Sequence, residues 1–354
     1  MDKLNRTISK IERVDGSLTE RTQRRLDGLT KPLGSLGRLE ELAIRIVDIT
    51  KKEEPRLKNK VIFTMAADHG VVEENVSAFP QEVTRQMVYN FISGGAGINV
   101  LARHVGAKVV VVDMGVASDL EKHPGLVIKK VRYGTENMAK GPAMTKEDAV
   151  KSVENGIEAF EEEFLASGID IIGTGDMGIA NTTSSSAIVS VITATLPEDV
   201  TGRGTGIDDE MLARKIQVIK KAININKPDK KDAIDVLSKI GGLEIGGLAG
   251  VMLGAASYRV PIVIDGFISG AAALIACTLE PKIKGYMIAA HCSVEKGHKI
   301  ILKYLGLNSL LDFGLRLGEG TGAALAMDVI SAAVKILTEM ATFQEAAVSE
   351  RTKT

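Results

Sequence analysis

Short apolar runs without polar alternation, each followed within three residues by a glycine or a polar residue, constrain the fold of this chain most strongly. A strand with one face in water alternates apolar and polar residues, whereas a strand buried on both faces does not. The runs therefore predict strands of a parallel sheet that helices cover on both faces. They occupy residues 61–67, 108–113, 169–173, 261–265 and 286–290.

Segments of helical length separate these runs. Alternating strands and helices predict an α/β fold with right-handed crossover connections. Ligands of such folds bind beyond the carboxyl ends of the strands, so we expect the polar, glycine-rich segments there to share one rim. The predicted helices span residues 146–165, 208–224, 243–257 and 268–279, and residues 319–354 are predicted as one long helix with a polar tail.

Charge and apolar patterning exclude several classes of protein. Lys plus Arg number 44 and Asp plus Glu number 45, so no nucleic-acid partner is expected. Cys277 and Cys292 are too few for a disulfide framework, and the N-terminus lacks the apolar core of a secretory signal. The most apolar stretch, residues 323–337, is too short for a membrane span and contains two charges. The chain is therefore expected to be cytoplasmic, with no membrane partner.

Residues 173–183 form a glycine-rich segment between a predicted strand and a predicted helix. Glycines allow close backbone approach to a ligand, and free N–H groups at a helix start attract phosphate. The segment matches neither a P-loop nor a dinucleotide-binding fingerprint. The alternative is a tight turn without a ligand.

A second glycine-rich turn spans residues 202–206. Asp208 and Asp209 follow it and are placed to cap the helix that carries Lys215. Lys215 is a candidate point charge for the same phosphate. The alternative is a solvated surface lysine.

The segment around residue 291 raises the question of a metal. In a helix, His291, Glu295 and His298 would share one face, and residues 68–69 (Asp-His) would add ligands. No three-ligand signature is present, so we expect no metal. The alternative for this segment is a ligand hydroxyl bound through Ser293.

Residues 76–88 mix an aromatic side chain, a methionine and amides after a strand-end loop. Phe79 and Met87 could form a slot for a flat apolar ring, with Gln86 as a polar contact. Ordinary core packing is the alternative.

Glu319 lies between two glycines with apolar residues on either side. Desolvation in such a setting raises a carboxyl pKa towards the range of a general base. The alternative is an exposed glutamate favoured by the helix macrodipole.

Together these segments resemble the nicotinate-nucleotide–dimethylbenzimidazole phosphoribosyltransferases of cobalamin biosynthesis. The resemblance spans nearly the whole chain and depends on seven motifs in the family's order. They lie at residues 30–37, 67–72, 77–83, 94–99, 178–183, 202–206 and 316–322.

The resemblance implies a Rossmann-like parallel sheet flanked by helices, a small helical domain formed from both chain ends, and a homodimer. Residues 1–58 and 319–354 would form the small domain and residues 59–318 the large one. The implied reaction joins nicotinate mononucleotide and 5,6-dimethylbenzimidazole to give α-ribazole 5′-phosphate and nicotinate, without a cofactor. The acceptor loses an N–H proton, which one carboxylate can take.

The resemblance also implies roles for individual residues. Glu319 would be the catalytic base, and Asp176, which stands where the family has glutamate, would steady positive charge on the ribose. Cys292 and Lys296 also depart from the family pattern. The nucleotide would contact Gly175, Met177, Gly178, Asn181, Thr182, Gly202, Gly204, Thr205, Lys215 and Ser293. The acceptor, dimethylbenzimidazole, would contact Phe79, Gln86, Met87, Leu317 and Gly318.

Three other functions remain open from the residues. The same chemistry could act on another acceptor, such as adenine, a different benzimidazole or a phenol. A nucleotide-binding protein without catalysis would keep the glycine-rich turns. A metallohydrolase would use Asp68, His69, His291 and His298.

Overall fold

The computed structural model describes residues 2–349 and contains one six-stranded sheet in which every pairing is parallel. The strand order is β3-β2-β1-β4-β5-β6, the doubly wound order of Rossmann-type sheets. The predicted fold class is therefore confirmed. The strands are β1 (Lys60–Ala67), β2 (Ala107–Gly115), β3 (Leu126–Ile128), β4 (Ile171–Met177), β5 (Ile262–Ile264) and β6 (Met287–Ala289).

Burial on both faces explains why the strands lack alternation. Along β1, Phe63 and Met65 lie in one hydrophobic cluster, whereas Ile62 and Ala66 lie in the cluster on the opposite face. All five predicted strands occur. The missed strand, β3, has only three residues at the sheet edge, too few to show a pattern.

Helices cover both faces of this sheet, and the four internal helices that the sequence predicts are confirmed within three residues at each end. The helices are α1 (Asp2–Ser9), α2 (Thr19–Asp27), α3 (Arg38–Thr50), α4 (Val83–Ile92), α5 (Gly97–Val105), α6 (Lys146–Ser167), α7 (Asn181–Thr193), α8 (Pro197–Val200), α9 (Asp209–Asn226), α10 (Ala233–Ile240), α11 (Leu243–Ser257), α12 (Phe267–Leu279), α13 (Lys296–Leu305) and α14 (Thr321–Glu339).

The prediction of one helix from residue 319 to the polar tail is wrong. Helix α14 ends at Glu339, and backbone hydrogen bonds then draw the chain back to the N-terminal segment. The N–H of Thr30 donates to Ala341, and the N–H of Phe343 donates to Gly28. These long-range bonds replace the helical ones. Residues 350–354 of the prediction lie outside the described part of the chain.

A separate hydrophobic cluster joins α2, α3 and the end of α14 through Leu26, Val47 and Leu337. Beside it, Lys31 and Glu40 form a 2.8 Å ion pair with side chains 5% and 6% exposed. The start of α14, however, packs in the sheet cluster. The division at residues 58 and 318 therefore stays a prediction.

Within residues 2–349, only α14 is long and apolar enough to cross a membrane. Buried positions make up 61% of its most apolar 18-residue window, because the helix packs against the rest of the chain. A buried core helix can have the same length and apolar composition as a membrane-spanning helix.

Candidate active site

Acidic side chains converge where the sheet changes direction. The chain proceeds from β1 outwards to β2 and β3, then returns to place β4 on the other side of β1. Ligands of doubly wound folds bind in the crevice at this point. Asp176 lies near the end of β4, Asp265 follows β5, and Glu319 lies in the turn before α14.

The turn that carries Glu319 has an unusual backbone. Gly318, Glu319 and Gly320 have φ values of +81°, +62° and +98°. Only glycine adopts such angles freely, so the two glycines suit the turn and Glu319 is held there by its surroundings. The Thr64 hydroxyl donates to the Glu319 carbonyl at 3.1 Å. A methyl group on Gly175 would overlap this carbonyl.

The Glu319 carboxyl group is desolvated, as one of the two alternatives predicts. The residue is 6% exposed, and Oε2 accepts a 3.0 Å hydrogen bond from the backbone N–H of Ile98. Burial raises the pKa of Glu319, while the Ile98 hydrogen bond lowers it by less. Oε1 accepts no hydrogen bond from residues 2–349. The arrangement leaves one oriented oxygen for an incoming proton.

Asp176 is buried beside this turn. Burial and the nearby charge of Asp265 raise the pKa of Asp176 to about 8. The Asn181 side-chain amide donates to Oδ2 at 2.9 Å, which leaves Oδ1 to carry a proton. A protonated Asp176 offers a hydrogen bond at neutral pH in place of a full negative charge. This weakens the prediction that its charge steadies the ribose.

Asp265 was not predicted as a site residue, although it ends one of the predicted strand runs. It is fully buried, and Oδ1 accepts a 2.9 Å hydrogen bond from the N–H of Ala323 in the first turn of α14. Burial raises the pKa of Asp265 to about 7, against the lowering effect of backbone N–H groups at the start of α14. Asp265 thus holds the helix that follows Glu319.

The first glycine-rich turn joins β4 to α7 in a tight connection. Gly178 lies so close to the neighbouring strand end that a methyl group there would be 2.5 Å from the Ala67 carbonyl. Ala180 has φ +73°, and α7 begins at the next residue. The N-terminus of α7 therefore follows directly on the end of β4, and phosphate binding there stays a prediction.

The second turn brings a buried cation to the same helix start. Lys215 is 1% exposed, which contradicts the surface alternative. Its Nζ donates to the Thr182 hydroxyl at 2.7 Å, and a methyl group on Gly204 would lie 3.2 Å from Nζ. Burial lowers the pKa of Lys215 to about 8. Thr182, Gly204 and Lys215, here termed the Lys215 cluster, thus combine hydroxyl, backbone and ammonium groups.

The segment 291–298 is not one helix, because α13 begins only at Lys296. The backbone N–H of Ser293 donates to His298 Nδ1 at 2.9 Å, and burial with His291 nearby lowers the pKa of His298 to about 3. His69 forms a different hydrogen bond, with its Nε2 2.6 Å from Oε1 of Glu244. Within residues 2–349, no three His, Cys, Asp or Glu side chains are grouped for a metal ion.

The residues predicted to contact the acceptor ring are only partly brought together. Leu317 is 59% exposed and lies beside Gly97, where a methyl group would be 3.0 Å from Leu317 and 3.3 Å from Glu319 Oε2. Phe79 is 51% exposed in a loop whose neighbouring N–H, from Ala78, donates to the Thr205 hydroxyl at 3.1 Å. Gln86 is exposed, whereas Met87 is half-buried against the core.

Comparison with known proteins agrees with this geometry. A family model described as phosphoribosyltransferase matches residues 11–348. The nicotinate-nucleotide–dimethylbenzimidazole phosphoribosyltransferase of Chloroflexus aurantiacus is 59% identical over 99% of this chain and 100% of its own length. The protein of that name from Geobacter sulfurreducens is 57% identical over 99% of both chains.

Solved structures show the same fold. The crystal structure of the nicotinate-nucleotide–dimethylbenzimidazole phosphoribosyltransferase from Thermus thermophilus superimposes with a TM-score of 0.90. It is 44% identical and covers 95% of this chain and 100% of its own. The chain therefore belongs to the nicotinate-nucleotide–dimethylbenzimidazole phosphoribosyltransferase family.

Proposed function

We propose that this enzyme transfers the phosphoribosyl group of nicotinate mononucleotide to 5,6-dimethylbenzimidazole, giving α-ribazole 5′-phosphate and nicotinate for the lower ligand of cobalamin. The observation that carries the proposal is the buried, oriented Glu319 carboxylate at the switch point of the sheet. Full-length similarity to enzymes of that name supports it.

The reaction needs a base and no acid. One imidazole nitrogen of the acceptor attacks C1′ from the face opposite the pyridinium, and the C1′–N bond to nicotinate breaks with its electron pair going to nicotinate. The second acceptor nitrogen then gives its proton to Oε1 of Glu319, since Oε2 is engaged by Ile98. General-base assistance of this kind contributes about 10²–10⁴-fold.

The Lys215 cluster is proposed to hold the 5′-phosphate. The ammonium group, the Thr182 hydroxyl and the start of α7 are all suited to an anion. The remaining contacts predicted for the nucleotide are proposed to surround it: Gly175, Met177, Gly178, Asn181, Gly202, Thr205 and Ser293.

Asp176 is proposed to act in its protonated form. Its carboxyl group would donate a hydrogen bond to the nucleotide, since its raised pKa keeps it neutral at pH 7. Leu317, Gly318 and Phe79 are proposed to contact the flat face of the acceptor.

Release of nicotinate from its mononucleotide in the presence of dimethylbenzimidazole tests the proposal directly. Comparing kcat/KM for adenine, other benzimidazoles and a phenol identifies the preferred acceptor. Binding of the mononucleotide without any transfer would favour the non-catalytic alternative.

We also propose a cytoplasmic homodimer with a small helical domain from both chain ends, as the resemblance implies. The cluster of α2, α3 and the end of α14 supports such a domain. Sedimentation equilibrium of the purified chain tests the dimer.

A further inference from the structure

Glu295, at the start of α13, contacts the second glycine-rich turn. Its Oε1 accepts a 2.9 Å hydrogen bond from the N–H of Gly204. Gly202 packs so closely on the carboxylate that a methyl group there would overlap Oε2. Two glycines of the turn are therefore fitted around this one side chain, which reaches across from another part of the chain.

The carboxylate of Glu295 is also buried and incompletely paired. The residue is 7% exposed, and Oε2 has no hydrogen-bond partner within the described residues. Burying a carboxylate without full pairing is costly, so a fold retains one only against a compensating charge or a function. Lys215 is the compensating group, because Gly204 connects the two: its N–H binds Glu295, and a methyl group on it would lie 3.2 Å from Nζ of Lys215. The charge of Glu295 accordingly raises the pKa of that lysine.

Gly204 touches both charged groups. Its N–H donates to Glu295 Oε1, and a methyl group on its Cα would lie 3.2 Å from Nζ of Lys215. Lys215 otherwise contacts the neutral Thr182 hydroxyl, so Glu295 is the charged group that acts on it within the described chain. Without Glu295, burial alone would favour the neutral amine, which cannot serve as a cation for phosphate.

We propose that Glu295 is a positioning residue for the substrate phosphate: it holds the 202–206 turn over Lys215 and supplies the countercharge of the lysine's ammonium group. The inference assigns a role to a residue outside the predicted contacts, and it rests on the proposed function for the identity of the phosphate ligand. Glu295 acts through Gly204 and Lys215.

The test measures the dissociation constant of nicotinate mononucleotide by calorimetry from pH 6.5 to 9.5. In the parent protein, binding weakens as Lys215 loses its proton near pH 8. Asp176 also loses a proton near pH 8, and the Lys215→Arg variant retains only that contribution. Glu295→Gln keeps an acceptor for the Gly204 N–H but removes the charge. The midpoint of this weakening should move to lower pH by about one unit, as expected for loss of an opposite charge nearby.

Lys215→Arg provides the matched control. Arginine stays charged throughout this pH range. Adding Glu295→Gln to that variant should therefore leave the pH dependence of binding unchanged. Glu295→Asp, which keeps the charge on a shorter side chain, should weaken binding at every pH without moving the midpoint. If Glu295→Gln does not fold, binding by Glu295→Asp that equals the parent's would overturn the inference.

An unchanged midpoint in Glu295→Gln, or a shift that persists beside Lys215→Arg, would overturn the inference. Binding is measured without an acceptor, so the result does not depend on catalysis. A parent protein that binds the mononucleotide but releases no nicotinate would refute the proposed function while leaving the role of Glu295 intact.

Discussion

The backbone N–H of Ile98 donates a 3.0 Å hydrogen bond to Oε2 of Glu319, joining the start of α5 to a turn 221 residues further along the chain. One carboxylate oxygen is thereby fixed and the other is left for chemistry. Thr64 fixes the backbone of the same residue from β1. Glu319 thus takes its orientation from two elements that are remote in sequence.

The first prediction concerns pH. Burial raises the pKa of Glu319, so its basic form is lost at a higher pH than for an ordinary glutamate as the solution is acidified. Lys215, with a pKa lowered to about 8, loses its charge as pH rises through that value. Asp176, which is proposed to act protonated, loses its proton near the same pH. The profile of kcat/KM should therefore be bell-shaped, with an acidic limb above pH 4.5 and an alkaline limb near pH 8. An acidic limb at or below pH 4.5 would contradict the assignment of Glu319, and the absence of an alkaline limb near pH 8 would contradict that of Lys215.

Removing the buried ammonium group should weaken substrate binding. Lys215→Ala loses a charge-assisted contact of about 1.5–3 kcal/mol, roughly 10–100-fold in KM for nicotinate mononucleotide. The KM for the acceptor should stay nearly constant. Lys220→Ala is the control, since Lys220 lies on the same helix but is exposed. Equal effects of the two substitutions would argue against a phosphate contact.

Gly175→Ala should lower kcat. The added methyl group overlaps the Glu319 carbonyl, so the turn that carries the base has to move. A displacement of about 1 Å in a catalytic group costs on the order of 10²-fold in rate. Gly141→Ala is the matched control, because a methyl group there meets no atom within 4 Å. Steady-state rates of both variants test this, with thermal melting as a check on folding. An equal kcat for Gly175→Ala and Gly141→Ala would contradict the prediction.

The buried ion pair between Lys31 and Glu40 should matter for stability. Lys31→Met leaves a buried carboxylate whose remaining partner is the N–H of Leu36. Breaking one side of such a pair costs about 3–5 kcal/mol. Urea denaturation should show this loss, whereas removal of the exposed Lys140–Glu73 pair should leave the midpoint unchanged. Similar urea midpoints for Lys31→Met and for the variant without the Lys140–Glu73 pair would show that the buried pair does not stabilise the fold.

The sequence predicted the sheet, its buried strands and the carboxylate at position 319 from local patterns. The glycines beside Glu319 indicate a turn that few other residues allow, so the local signal was strong. For Lys215, by contrast, the sequence left burial and exposure equally open. Its burial depends on how the 202–206 turn packs over α9.

Contacts between segments that are distant in the chain could not be predicted from the sequence. Ile98 has no side-chain signal, because its backbone N–H makes the contact with Glu319. Asp265 ends a predicted strand, but its partner Ala323 lies 58 residues further on. Glu295 was considered only as a metal ligand, since its partner, the Gly204 amide, becomes its neighbour through folding alone.

The most direct test of the general base is the rate of nicotinate release by Glu319→Gln at saturating nucleotide and acceptor. The amide keeps the shape of the side chain and an acceptor for the Ile98 N–H but cannot take the proton. We expect kcat to fall by about 10²–10⁴-fold, while the dissociation constant of nicotinate mononucleotide stays the same. A variant that releases nicotinate at the parent's rate would show that Glu319 is not the base.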